Sequence, residues 1–372
     1  MKRTKRYLSL ISCLPLLSTV MQMAFAGEPA PSVTGTIIQV EKCGHAVLDI
    51  RIEEFENAGF NLGDIVTVKT DHFTGDIPYF NGYYVDKGEA FLRAYPGTEN
   101  IAVCINYGNF CEAAGAGVGD SVTITMKEEE GALTEQEIND LVYSDERSDF
   151  DLDTTFANFR PVVMGDLGEG RLYRSASPVD NSHNRASYAN ELAELVRINS
   201  VVNESDTEEE ISGFFEDADF CSDYYRKLYE DGLVYVQELS ISFETEEFAH
   251  EIVSALTFFS EKNPPYLVHC TEGKDRTGFT IMVMEALMGA SADEIVKDYM
   301  ISYENYYGIK PGTEKYDMIV EKNIVQMLPI IAGTDNLEGI DLSAAAGTWL
   351  INNGMDQEAI RALKEKLSSP QE

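Results

Sequence analysis

A cysteine and an arginine six positions apart, Cys270 and Arg276, flank a glycine in the stretch V-H-C-T-E-G-K-D-R-T-G, residues 268–278. Residue types in that order suit the handling of a phosphoryl group. A cysteine at a helix N-terminus beside Lys274 and Arg276 is favoured as the thiolate, its nucleophilic form. Arg276 can return across the loop and hold two phosphoryl oxygens in a bidentate fork, a geometry lysine cannot form. Gly273 lets the chain curl, so that Thr271, Glu272, Gly273, Lys274, Asp275 and Arg276 surround one anion. Thr277 can donate its hydroxyl to the sulfur. This chemistry asks for no metal and no cofactor.

Such a loop has to be held between a strand and a helix. Pro264-Pro265 makes a turn, residues 266–268 form a short apolar run of strand type, and residues 279–288 are apolar nearly all round, as in a buried helix. The first N–H groups of that helix lack intrahelical partners, and the dipole there favours an anion. Further patterns predict strands at 171–174, 199–202 and 233–241 and helices at 186–196, 219–229 and 246–260. Helices at 292–303, 313–327, 342–352 and 356–367 follow. The order predicts an α/β domain with a central sheet flanked by helices. Tyr303, Tyr306, Tyr307 and the 308–312 loop are placed to approach the pocket, with plain packing as their other use.

The loop resembles the signature of the cysteine-dependent phosphatases of the protein tyrosine phosphatase superfamily. It matches every fixed position of the bacterial subgroup that reads H-C-x-x-G-K-D-R-T-G. Two segments, F-A-N-F-R (156–160) and G-R-L-Y-R-S-A (170–176), are similar to the N-F-R and L-Y-R-S-A segments that open the family's catalytic domain. Asp298, Tyr299 and Ser302 are similar to its D-Y-x-x-S helix. The resemblance covers roughly residues 150–372 and implies a tyrosine phosphatase-like catalytic domain over 154–368. It implies Cys270 as nucleophile forming a cysteinyl-phosphate, Arg276 and the loop amides as the phosphate cradle, and a structural role for His269 behind the cysteine.

The general acid has several candidates. Many members of the superfamily place an aspartate on a separate loop, for which Glu204, Asp206 or Glu238 would stand here. The G-K-D-R subgroup, like the myotubularins, is thought to draw its acid from the position of Asp275, which is the assignment taken; ion pairing to Lys274 or Arg276 is its alternative use. The N-E-S-D sequence at 203–206 departs from the D-L-R type more often found there.

The expected substrate is phosphotyrosine in a protein, or a similar aryl monophosphate, with dual specificity as an extension. A phosphoinositide or inositol polyphosphate (phytase-like) activity is the alternative, since Lys274 beside Arg276 accompanies phosphoinositide turnover in relatives. Against it, Lys274 and Arg276 face Glu272, Asp275 and an ionised Cys270, which leaves the loop one negative charge. Arg160, Arg171, Arg174 and Arg185 would offset this only if they converged on the mouth instead of forming internal ion pairs. A catalytically silent phosphate-binding surface module is the non-enzymatic reading, and the complete set of Cys270, Asp275 and Arg276 favours the enzyme.

Residues 1–26 have a basic start, an apolar stretch and an Ala24-Phe25-Ala26 ending, which predicts a secretory signal cleaved after Ala26 and a secreted or cell-surface protein. The run ending at Cys13 is similar to a lipoprotein box but follows too short an apolar stretch. No later run approaches the ~18 apolar residues of a membrane span. The signal holds four of the 28 basic residues and no acid, so the remainder carries 24 basic against 64 acidic residues, a net charge of −40. Such a field disfavours nucleic acid and anionic lipid partners.

Residues 33–127 contain an internal repeat at an offset of 56, A-G-F-N-L-G-D-I-V-T-V (58–68) against A-G-A-G-V-G-D-S-V-T-I (114–124). Alternating runs at 46–52 and 101–107 precede the copies, so the period is that of strands. The Gly-Asp turns resemble the box of the cradle-loop β-barrels and imply a pseudo-twofold. No catalytic cluster stands out there; the reading is a binding or spacer module whose partner the sequence does not name. Residues 128–153 read as an acidic linker with one short helix, opened by a Thr134–Glu137 capping box. Cys43, Cys104, Cys111 and Cys221 show no metal-ligand spacing, and their pairing does not follow from the sequence.

Overall fold

The computed structural model describes residues 30–85, 87–216 and 222–368. The expected signal over 1–26, with Cys13 and Ala26, lies outside the described residues, as does Cys221. The chain forms two compact units, residues 30–79 with 87–129, and residues 80–85 with 130–368.

Seven strands close the first unit into a barrel: β1 (Ser32–Val40), β2 (Ala46–Arg51), β3 (Ile65–Lys69), β4 (Thr74–Phe80), β5 (Ala90–Arg93), β6 (Asn100–Ile105) and β7 (Ser121–Glu128), in the order β1-β2-β6-β5-β4-β3-β7. Alternation decides the interior, where Val66, Val68, Val122 and Ile124 are buried. Each repeat copy leaves a short helix, α1 (Ile52–Asn57) or α2 (Phe110–Ala114), and turns at its Gly-Asp pair into β3 or β7. Asp64 Oδ2 accepts the Asn61 N–H at 2.6 Å, and Asp120 Oδ2 accepts the Gly117 N–H at 2.8 Å. β3 and β7 pair antiparallel with Val68 opposite Ile124. These two residues are equivalents in the repeat, so the local twofold passes between them.

The second unit has a five-stranded sheet: β8 (Arg160–Pro161), β9 (Leu172–Ser175), β10 (Ser200–Asn203), β11 (Val234–Val236) and β12 (Tyr266–His269), in the order β11-β10-β12-β9-β8. All neighbours are parallel except the antiparallel edge strand β8. The helices are α3 (Leu133–Asn139), α4 (Asp153–Phe156), α5 (Ala186–Leu195), α6 (Glu208–Phe214), α7 (Asp223–Glu230), α8 (Glu246–Glu261) and α9 (Asp275–Leu287). α10 (Ala292–Tyr307), α11 (Glu314–Lys322), α12 (Ile324–Ala332), α13 (Leu342–Asn352) and α14 (Gln357–Ser368) complete it. Successive strand residues serve opposite faces: Val201 and Leu267 share a core with Ala189, Ala193 and Leu228, while Val202 and Val268 join Ile252, Leu256 and Phe279. Helix α9 is buried from Thr277 to Leu287, which explains its lack of a polar face.

Several boundaries differ from the sequence reading. The expected helix over 313–327 is two helices, broken at Asn323 (φ −112°, ψ −85°), whose side chain donates to the Tyr303 hydroxyl at 2.7 Å. The strand predicted over 233–241 stops at Val236, because β10 beside it turns away where Asn203 Oδ1 accepts the N–H groups of Ser205 and Asp206. Thr134 does not cap α3: a turn from Glu130 O to Leu133 N–H starts the helix two residues earlier, with Ala132 at the cap. In the segment expected as a linker, Asp145 takes Arg185 at 2.6 Å and the Ser144 carbonyl takes the same guanidinium at 2.7 Å. No helix among the described residues is long and apolar enough to cross a membrane.

Candidate active site

The loop of residues 270–274 leaves the C-terminal end of β12, central in the parallel sheet, and runs directly into α9. Asp275, Arg276 and Thr277 therefore belong to the first turn of the helix, whose N–H groups have no intrahelical acceptor. Gly273 is required twice over. It stands at φ +67°, and a methyl group on it would lie 1.9 Å from the Ser175 carbonyl oxygen.

Outside any ladder, the loop's carbonyls need other donors. Arg174 donates from Nη2 to the Gly273 and Lys274 oxygens at 2.9 and 3.0 Å. The Tyr306 hydroxyl donates to Glu272 O at 2.7 Å, Asn158 Nδ2 reaches Glu272 O and Gly273 O, and the Ser177 N–H takes Thr271 O at 3.1 Å. Arg174 and Arg160 are themselves fixed by buried Asp298, at 2.7 and 3.1 Å. Against the cost of burial, these arginines hold the Asp298 carboxyl below its usual range, while burial and Asp298 push neighbouring Glu285 well above its own. Ser302 receives Asn158 and Arg160 at 3.1 Å each. The three segments singled out beside the loop, 156–160, 170–176 and 298–302, thus converge beneath it.

Inside this frame Cys270 is a buried free thiol, 3% exposed. His269 behind it is buried and neutral; burial pushes its pKa down to about 3, and its Nε2 lies 3.4 Å from the Tyr225 hydroxyl. Arg276 folds back across the loop, donating to Thr271 Oγ1 at 3.1 Å and to the carbonyls of Glu204 and Leu239 at 3.1 and 3.4 Å. Thr277 is fully buried beside the loop.

Lys274 is 3.0 Å from Glu272 and 3.7 Å from Asp275, and donates to the Tyr307 hydroxyl at 3.1 Å. Burial opposes its charge, but Asp275, Tyr303 and Glu272 outweigh burial and raise its pKa. Asp275 Oδ1 accepts the hydroxyls of Tyr299 at 2.7 Å and Tyr303 at 3.3 Å. Gly278 makes room for this, since a methyl there would stand 2.6 Å from the Tyr299 ring.

Of the other carboxylates considered as acids, Glu204 is fully buried and receives the Thr280 hydroxyl, burial pushing its pKa up to about 7. Asp206 is buried against Asn203 Nδ2 at 2.9 Å, and Glu238 is exposed. Of the four arginines considered for the mouth, Arg160, Arg174 and Arg185 are engaged in internal ion pairs. Tyr303, Tyr306 and Tyr307 all reach the loop. Tyr143, which drew no notice in the sequence, packs 4.7 Å from Tyr306.

The sequence profile of the tyrosine phosphatase family matches residues 164–369, more than half of the chain. The protein belongs to the tyrosine phosphatase family. This phosphatase is a phosphoric monoester hydrolase, with a family-typical α/β unit preceded by a closed seven-stranded barrel. It is similar to the core catalytic domain of the PP-IP phosphatase SIW14 from S. cerevisiae, at 19% identity over 45% of this chain and 85% of that one, TM-score 0.26. It is similar to TpbA of P. aeruginosa at 14% identity over 45% and 92%, TM-score 0.27. With an uncharacterized conserved protein from Thermotoga maritima it shares 18% identity over 24% of this chain, spanning 35% of that protein, TM-score 0.23. No curated protein matches the sequence.

Proposed function

We propose that the phosphatase hydrolyses aryl phosphomonoesters, phosphotyrosine foremost, through a cysteinyl-phosphate. Cys270 Sγ attacks phosphorus as the ester P–O bond breaks, and Asp275 gives its proton to the leaving oxygen. Water then attacks the thiophosphate, losing its proton to Asp275, and the thiolate departs as inorganic phosphate forms. Arg276 and the first-turn amides carry the charge on the equatorial oxygens. The observation that carries this reading is the return of Arg276 across the loop, its Nη2 donating to Thr271 Oγ1 at 3.1 Å.

The cation inventory supports a monophosphate. Lys274 is already shared by Glu272 and Asp275, and Arg160, Arg174 and Arg185 are spent internally. A second or third phosphate would meet little positive charge. Phosphoinositide monophosphates are second substrates in this reading and highly phosphorylated inositols poor ones. The enzyme acts after export, with cleavage following Ala26.

Comparing kcat/KM for a phosphotyrosine peptide, a phosphoinositide monophosphate and an inositol polyphosphate at one ionic strength tests the substrate. A tenfold preference for the polyphosphate, about 1.4 kcal/mol, would replace this reading with a phytase-like one. For the acid, Asp275→Asn should slow a poor leaving group by ~10²- to 10⁴-fold and a very good one much less; equal slowing would remove Asp275 from that role.

A further inference from the structure

The turn between β1 and β2 gathers three side chains that the phosphatase reaction does not use. The Glu41 N–H donates to His45 O at 3.0 Å and the Gly44 N–H to Glu41 O at 2.8 Å, closing a tight hairpin with Gly44 at φ +85°. Glu41, Cys43 and His45 alternate along it and point to one side. His45 Nδ1 lies 3.2 Å from Cys43 Sγ and 3.2 Å from Glu41 Oε2, and the three donor atoms lie within 4.8 Å of one another. His45 is buried, Glu41 half-buried and Cys43 exposed, so the cluster opens to solvent on the side of the thiol.

We infer that Glu41, Cys43 and His45 form a binding site for a borderline-soft divalent transition-metal ion, Zn²⁺ by donor chemistry, with water in the fourth position. A tetrahedral zinc ion with bonds of about 2.0 to 2.3 Å sets its donors roughly 3 to 4 Å apart, the range in which His45 Nδ1 stands from Cys43 Sγ and from Glu41 Oε2. One sulfur, one imidazole nitrogen and one carboxylate oxygen suit zinc, whereas magnesium and calcium select oxygen donors.

Arg93 supports the site from behind. Its Nη2 donates to Glu41 Oε1 at 2.9 Å and its Nη1 to Oε2 at 3.0 Å. This two-point grip fixes the carboxylate plane with Oε2, which Arg93 also holds, on the side of His45, as partners behind a metal ligand do. On binding, the ion takes the place of the Cys43 thiol proton, which leaves to solvent, while Glu41 and His45 each lend a lone pair. No electron is transferred. The ion would tie the end of β1 to the start of β2.

The test uses the full chain, reduced, stripped with a chelator and titrated with Co²⁺ as a spectroscopic stand-in and with Zn²⁺. The expected result is one equivalent of zinc retained per chain after gel filtration. With cobalt, tetrahedral d–d bands and a thiolate-to-metal charge-transfer band should appear, together with release of protons. Both signals should vanish in Cys43→Ser, whose exposed position leaves the barrel fold intact by circular dichroism, and should survive in Cys270→Ser. Absence of the charge-transfer band in the wild type, or its persistence in Cys43→Ser, would reduce the cluster to a hydrogen-bonded group and overturn the inference.

Discussion

The barrel and the α/β unit fill their interiors differently. The barrel's core cluster is apolar, built from Ile37, Leu48, Val66, Val68 and Ile124, and its buried charged groups Asp64 and Arg93 serve a turn and Glu41; the α/β unit buries Arg174, Asp298 and Glu285, with Arg174 serving the loop. Backbone hydrogen bonding accounts for the difference. In a closed barrel the strands satisfy one another's N–H and C=O groups, so its central cluster can be filled by apolar side chains. The five-residue loop between β12 and α9 leaves its carbonyls outside any ladder, and buried side chains such as Arg174 and Asn158 meet them. In the α/β unit, buried charge thus gathers where loop carbonyls need donors.

The largest effects should come from the loop itself. Cys270→Ser should abolish turnover while inorganic phosphate still binds, measured by stopped assay and by calorimetry, because Arg276 and the amides remain. Arg276→Lys should lose both rate and phosphate binding, since the fork is gone. Retained turnover in Cys270→Ser would break the covalent reading. Beneath the loop, Arg174→Met removes one donor from each of the Gly273 and Lys274 carbonyls and leaves Asp298 to Arg160 alone. Breaking such a buried pair costs about 3–5 kcal/mol, to be read by denaturant unfolding, with phosphate affinity falling alongside. In the barrel, Leu48→Ala should cost about 2–5 kcal/mol and leave turnover of a small aryl phosphate unchanged. A matching loss of turnover would show that the two interiors are not separate.

The smallest effect is a pair of opposed pH slopes. The folded pKa of Glu204 is raised from 4.5 to about 7, so its contribution favours the fold below pH 4.5 and is lost as pH rises toward 7. His269 is lowered from 6.5 to about 3, so its contribution is present above pH 6.5 and lost as pH falls toward 3. Between pH 4.5 and 6.5 the two oppose. Relative to wild type, Glu204→Gln should make stability rise more steeply with pH in that window, and His269→Asn should make it rise less steeply or fall. Urea titrations of the three proteins at matched pH values check the signs; identical slopes would remove both residues from the pH dependence.

What the sequence determined by itself is local and covalently ordered. Cys270 to Thr277 lie in one stretch at fixed offsets, so their order could be read as a phosphate cradle before any fold was known. Strand alternation and the 56-residue repeat are likewise properties of neighbours along the chain, and the facing of Val68 and Ile124 follows from that repeat. Tertiary structure alone decided which side chains meet across distance. That Arg174 serves loop carbonyls, that Asp275 lies between Tyr299 and Lys274, and that Tyr143 joins Tyr306 depend on how strands and helices pack. The break at Asn323 was invisible for the same reason, since its side chain bonds a tyrosine twenty residues away. Glu41, Cys43 and His45 fall between the two cases: they are close in sequence, yet only the hairpin's curl at Gly44 turns three alternate side chains toward a common point.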